Sequence, residues 1–160
     1  MIHTAKRWAH AAWLILSLAP AGCASSPLLQ TPHKFLRLEG HEQEYDYRAT
    51  SADGIVLAGR VLDYDKSLGG GVSFWVDAIK LRLQATGGYA LLKEESIQTT
   101  RGLQGKQLRF GHDEKRGAYQ YWVTVFVSGN KVVVLECGGP ESKLGAHEAA
   151  IMQALASASP

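Results

Sequence analysis

The sequence is poor in the residues that build metal sites and disulfide frameworks. It has two cysteines and six histidines in 160 residues, and Cys23 and Cys137 are 114 positions apart. Zinc sites commonly bring cysteines or histidines together at spacings of about two to five residues, and no pair of that kind occurs here. We therefore expect neither a bound metal nor another cofactor.

An excess of charge of one sign is also missing. The chain carries 17 Lys+Arg and 15 Asp+Glu, and two of the cations, Lys6 and Arg7, lie in a segment that export would remove. The rest of the chain then carries 15 residues of each sign. Because proteins that bind nucleic acid usually present a basic face, we expect no nucleic acid among the partners.

No apolar run is long enough for a permanent membrane-spanning helix. The longest, residues 9–21, has 13 residues, whereas a helix needs about 20 to cross the hydrocarbon core. Lys6 and Arg7 precede this run, and a stretch of small residues ending at Cys23 follows it. This layout is typical of a removable export signal.

The residues before Cys23 resemble the lipobox of bacterial lipoproteins, although Pro20 stands where an aliphatic residue is usual. The resemblance implies that lipid on Cys23 holds the protein on a membrane of the cell envelope. Ala24 after the cysteine implies the outer membrane, facing the periplasm. Ordinary cleavage after Ala21 is the alternative, and it leaves a free Cys23 thiol. The lipoprotein interpretation divides the chain into a signal peptide (1–22), a lipid-anchored flexible tether (23–34) and one domain (35–160).

Strand-like and helix-like patterns alternate along the predicted domain. Residues 119–127 are apolar on both faces, which predicts a central strand covered on both sides. A helix is predicted over 72–84, with Ser73 as its N-cap and Gly87-Gly88 at its end, and a second over 144–155. The predicted order is β-β-α-β-β-β-α, with most neighbouring strands joined by hairpins. This order indicates an α+β domain with helices packed on an antiparallel sheet.

Two turns and the strands around them resemble the PsbP/DcrB-like (Mog/PsbP-like) family. Gly102-Leu103-Gln104-Gly105 is similar to a Gly-x-x-Gly turn that precedes the central strands, and Phe126-Val127-Ser128-Gly129-Asn130 is similar to the characteristic hairpin. The resemblance covers residues 42–156 and implies an αβα sandwich. Members act mostly by binding other proteins. No family site motif is present, so the resemblance assigns no functional residue.

No group of residues specifies a reaction. Cys137 with His147 and Glu136 is the nearest approach to a nucleophilic site, but alternation places Cys137 among aliphatic neighbours, where a thiol is inert. Glu136 points to the other face, and we expect it to pair with an arginine or to lie exposed at the strand end. We predict no catalytic residue. Four aromatic residues are interpreted as core rather than as a ligand groove or a partner site: Trp75, Tyr119, Tyr121 and Trp122.

The leading hypothesis for function is an envelope lipoprotein that binds or assembles with a protein partner and catalyses nothing. One alternative is an envelope enzyme, either a hydrolase or a thiol-dependent protein that uses Cys137. Another is a carrier that holds a small apolar ligand between the sheet and a helix. Rapid alkylation of Cys137 in the native protein would favour the enzyme.

Overall fold

The computed structural model describes residues 28–40, 44–115 and 117–159. Within these ranges, seven strands form one sheet in the order β1-β2-β3-β7-β6-β5-β4, and every neighbouring pair is antiparallel. The strands are β1 (Phe35–Arg37), β2 (Tyr47–Ser51), β3 (Val56–Asp63), β4 (Ala90–Gln98), β5 (Gln104–Glu114), β6 (Gly117–Ser128) and β7 (Lys131–Pro140). The α-helices are α1 (Val72–Gly87), α2 (Glu141–Leu144) and α3 (Glu148–Ala156), and short 3-10 helices cover Lys66–Leu68 and Gly145–His147. The predicted α+β class with an antiparallel sheet is confirmed.

The element order differs from the prediction in three places, the first being that four strands rather than three lie between α1 and α2. The structure adds β1, whose three residues pair with β2 and are too few to give a readable period. The last predicted helix is divided into α2, a 3-10 turn and α3. The predicted hairpins β2–β3 and β6–β7 are both present.

The start of α1 corrects one prediction. Gly71, not Ser73, is the N-cap of α1, and no side chain caps this end. Gly69 and Gly70 have φ values of 83° and 109°, so this glycine run turns the chain into the helix in a conformation that residues with a Cβ rarely adopt. At the other end Gly88 has φ 64° in the left-handed region, which confirms the predicted stop.

Two apolar clusters form the core. The larger joins α3 to Trp122 and Phe126 of β6, and the smaller joins α1 to Val123 and Val125 of the same strand. Successive side chains of a strand point to opposite faces, so β6 is buried on both sides, as its sequence predicts.

Part of the segment predicted as a tether, residues 28–34, contacts the domain in the structure. Leu28 and Leu29 lie buried in the larger cluster, and the Leu28 carbonyl accepts a hydrogen bond from the Ser159 amide at 2.9 Å. The Gln30 amide donates to the Ser157 hydroxyl oxygen at 2.8 Å. Residues 28–34 therefore belong to the domain, because contacts at the distant C-terminus order a segment whose local composition resembles a linker. Cys23 lies outside the described residues.

Candidate functional site

Helix α1 leaves part of its sheet face uncovered. It packs mainly on β4, β5 and β6, while strand register places Tyr121, Gly138 and Val56 side by side further across the same face. A groove of about 410 Å³ lies there. We call it the tyrosine groove, and its lining includes Tyr45, Arg48, Tyr89, Tyr119, Tyr121 and Glu136.

Glu136 is the centre of the polar contacts in this groove. Its Oε1 atom is 3.1 Å from Arg60 Nη2, and its Oε2 atom accepts a hydrogen bond from the Tyr45 hydroxyl at 3.2 Å. Arg60 also donates to the Tyr45 oxygen at 3.3 Å and lies 4.8 Å from the centre of that ring. The predicted ion pair of Glu136 with an arginine is confirmed. Arg60 and the Tyr45 hydroxyl thus hold the carboxylate in place.

The Tyr45 and Tyr121 hydroxyl groups remain protonated at neutral pH. Burial, followed by the negative charge of Glu136, raises the pKa of Tyr45 and raises that of Tyr121 far more. The Tyr121 ring lies against Gly138, where an added Cβ would come within 3.3 Å of Tyr121 Cδ2. The groove thus offers aromatic rings and hydrogen-bond donors held on a strand scaffold.

Cys137 faces away from the groove. It is 2% exposed in the larger cluster with Val133 and Leu135, and burial raises the pKa of its thiol to about 12. The predicted burial of Cys137 is confirmed, and the thiol is both covered and protonated. A thiolate is the reactive form, so Cys137 lacks both the solvent access and the ionised state that a nucleophilic thiol requires.

His147 is engaged elsewhere and forms no pair with Cys137 in the described structure. Its Nε2 atom is 2.8 Å from Asp53 Oδ2, and its ring lies edge-on to Phe35 with centroids 5.4 Å apart. The hydrogen bond to His147 holds the pKa of Asp53 below its usual value. This contact fastens the β2–β3 turn to the start of α3.

The other histidines in the described ranges are His33 and His112, and they lie apart from each other in the fold. His112 Nδ1 lies 3.4 Å from the Gly88 carbonyl, His33 is exposed, and His41 lies outside the described residues. Among the residues that the structure describes, no group of three His, Cys, Asp or Glu side chains could hold an ion.

The interpretation of the aromatic residues was only partly right. Trp122 is 2% exposed and belongs to the core, as predicted. Tyr119 and Tyr121 are half-buried and line the groove, and Trp75 is half-buried on α1. Alternation along β6 identifies which face these residues share but cannot reveal that one helix covers only part of that face.

Comparison with known proteins supports the fold. No family model and no curated protein matches the chain. Among solved structures, the cyanobacterial PsbP protein CyanoP from Synechocystis sp. PCC 6803 superposes with a TM-score of 0.55 at 13% identity, over 88% of this chain and 96% of that chain. The chain has a PsbP-like fold.

Two further structures resemble this PsbP-like domain. A Pseudomonas aeruginosa protein of unknown function, PA94, has a TM-score of 0.53 at 14% identity, covering 82% of this chain and 85% of that one. A Bacteroides thetaiotaomicron protein has a TM-score of 0.50 at 15% identity, covering 82% of this chain and 44% of that one. At such identities the likeness concerns the fold alone.

Proposed function

We propose that this PsbP-like domain is a non-enzymatic binding module of the cell envelope, whose protein partner contacts the tyrosine groove. We further propose that lipid on Cys23 holds it on a membrane, most simply the outer membrane, facing the periplasm. The observation that carries the binding proposal is a groove in which tyrosine side chains surround a neutralised ion pair. Tyrosine and arginine are the residues over-represented in the energetic centres of protein interfaces.

The state of the polar groups favours binding over catalysis. A catalytic site needs a nucleophile or an acid–base group together with a partner that tunes it. Glu136 is held by Arg60 and Tyr45, Cys137 faces the core, and His147 is bonded to Asp53. Each candidate from the sequence is therefore engaged in a structural contact.

At the level of architecture we propose an αβα sandwich. The support is that α1 joins one apolar cluster and α3 the other, while β6 contributes side chains to both.

Photo-cross-linking tests the proposed interface. A photoreactive amino acid at Tyr119, in the full chain in its native envelope, should yield an adduct of one defined mass. The matched control is the same amino acid at Leu81, which is 71% exposed on the outer side of α1 and should yield none of it. The variant Gly138→Leu should abolish the adduct, since a Cβ there already meets Tyr121 at 3.3 Å. Equal adducts at both positions, or adducts that survive Gly138→Leu, would rule out the groove.

The enzyme alternative has its own test. Because Cys137 is buried and its pKa is raised to about 12, a maleimide should label it slowly in the native domain and rapidly after denaturation. Rapid labelling of the native thiol would favour the thiol-dependent enzyme.

A further inference from the structure

The N-terminal chain leaves the domain at one end of the sheet. The Ser159 amide donates a hydrogen bond to the Leu28 carbonyl. The Ser159 hydroxyl in turn accepts a hydrogen bond from Arg101 Nη1, in the β4–β5 turn, at 2.8 Å. The amide of Tyr64, in the β3–α1 loop, donates to Asn130 in the β6–β7 turn at 2.8 Å. We define the anchor end as these segments: loop 63–71, turn 99–103, turn 129–130 and residues 157–159.

A short stretch of chain separates this end from the proposed lipid. Only residues 24–27 lie between Cys23 and Leu28. Five residue steps at 3.3–3.6 Å each span at most about 18 Å. The inference that follows rests on the proposed lipid attachment, because a lipid on Cys23 then keeps the anchor end close to the bilayer surface.

Apolar and aromatic side chains gather at this same end. Trp75, near the start of α1, contacts the rings of Tyr64 and Phe74, with centroids 6.0 and 5.4 Å apart. Phe74 is 58% exposed, and Leu62, at the end of β3, is 40% exposed. Tryptophan and tyrosine concentrate at the headgroup level of membranes because they combine an apolar ring with a polar atom.

The exposed charges are compatible with an anionic surface. Three exposed cations lie on or beside the anchor end: Lys66, Arg101 and Lys131. Two carboxylates, Asp63 and Asp65, lie there as well, and Asp65 accepts hydrogen bonds from Ser67. Cations near an anionic bilayer are attracted to it, so a small net positive charge supplements the apolar contacts.

We propose that the anchor end is a membrane-contact surface, in which Phe74 and Leu62 enter the headgroup region of a bilayer containing anionic lipid while Lys66, Arg101 and Lys131 meet its phosphates. The domain then stands with its strands directed away from the membrane. The tyrosine groove lies toward the opposite end, beside Gly54 and Tyr119. Membrane contact therefore leaves the groove open to the aqueous compartment.

Fluorophore depth measurements test this surface with a matched pair of sites. Phe74→Cys places a thiol at the anchor end, and Leu92→Cys places one at the opposite end, beside Gly111, where the native residue is 55% exposed. Each full chain carries an environment-sensitive dye and is reconstituted in vesicles containing phosphatidylglycerol. Cys137 does not compete for the dye because it is buried.

At position 74 the dye should be quenched by spin-labelled lipid and protected from iodide, and at position 92 the reverse should hold. Replacing Lys66, Arg101 and Lys131 by glutamine should reduce lipid quenching at position 74. The proposal would be overturned if iodide quenched the dye at position 74. It would also be overturned if the dye were protected from iodide but not quenched by spin-labelled lipid, because that result would indicate a contact with protein. If Phe74→Cys misfolds, Leu62→Cys provides the same test.

The wild-type chain serves as the control for lipid attachment. Dye labelling of that chain would reveal a free Cys23 thiol, and this result would contradict the lipid proposal separately from the membrane-contact surface.

Discussion

Glu136 illustrates how a sequence can predict that a side chain needs a partner without showing which residue supplies it. A carboxylate that follows a run of aliphatic residues on an inner strand must be paired or exposed, and that much could be predicted. Its partners, Arg60 and Tyr45, are 76 and 91 positions away in sequence. Their identity depends on strand register, which sequence alternation does not supply.

Removing the charge of Glu136 should weaken the fold measurably. Glu136→Gln leaves Arg60 without its counter-charge in a partly covered position, with side-chain exposures of 17% and 32% in the pair. Breaking a hydrogen bond to a charged group costs about 1.5–3 kcal/mol, and we expect a loss of that order in the free energy of urea unfolding.

The control for that change is Lys93→Gln, which breaks an ion pair with Glu95 where Lys93 is 53% exposed. Exposed pairs contribute about 0–1 kcal/mol. Equal losses in the two variants would contradict the structural role given to Glu136.

The central position of strand β6 could be predicted from its sequence, whereas the burial of polar residues on the neighbouring strand β5 could not. Apolar residues on both faces correctly predict a central strand. In its neighbour β5, alternation places Gln107 and Arg109 together on a face that reads as polar. Gln107 is nonetheless fully buried, donating to Thr124 and accepting from Arg109 at 2.9 Å. Buried polar residues that hydrogen-bond to one another give the same sequence pattern as a solvent-exposed strand face.

The central position of β6 makes Trp122 a sensitive site. Trp122 is 2% exposed, its indole donates to Gln120 at 2.9 Å, and Arg109 lies 4.0 Å from its ring centre. Truncating a buried tryptophan costs about 3–5 kcal/mol, which is the expected loss for Trp122→Ala in denaturant unfolding. Phe74→Ala, at a residue 58% exposed, should cost much less. A comparable loss for both would place Trp122 outside the core.

For the whole molecule, attachment to the membrane is the property most open to a direct test. Cys23→Ser removes the only proposed acceptor for lipid, so the variant should be released from membranes or accumulate as the uncleaved precursor. Fractionation and the mobility of the chain on a denaturing gel measure both outcomes. A variant that is cleaved and stays with membranes like the wild type would contradict lipid attachment.

The hydrogen bond between Leu28 and Ser159 joins distant parts of the chain, and such contacts determine when the domain can fold. The first buried residues that the structure describes, Leu28 and Leu29, pack beside the turn that follows α3, and β3 pairs with β7, whose partner residues come 68 to 82 positions later. Contacts between such distant parts of a chain form slowly. A partly synthesised chain lacks β7 and α3 and cannot close either apolar cluster. The domain therefore acquires its native structure only after residues 157–159 have been synthesised, a delay compatible with the proposed export of the chain.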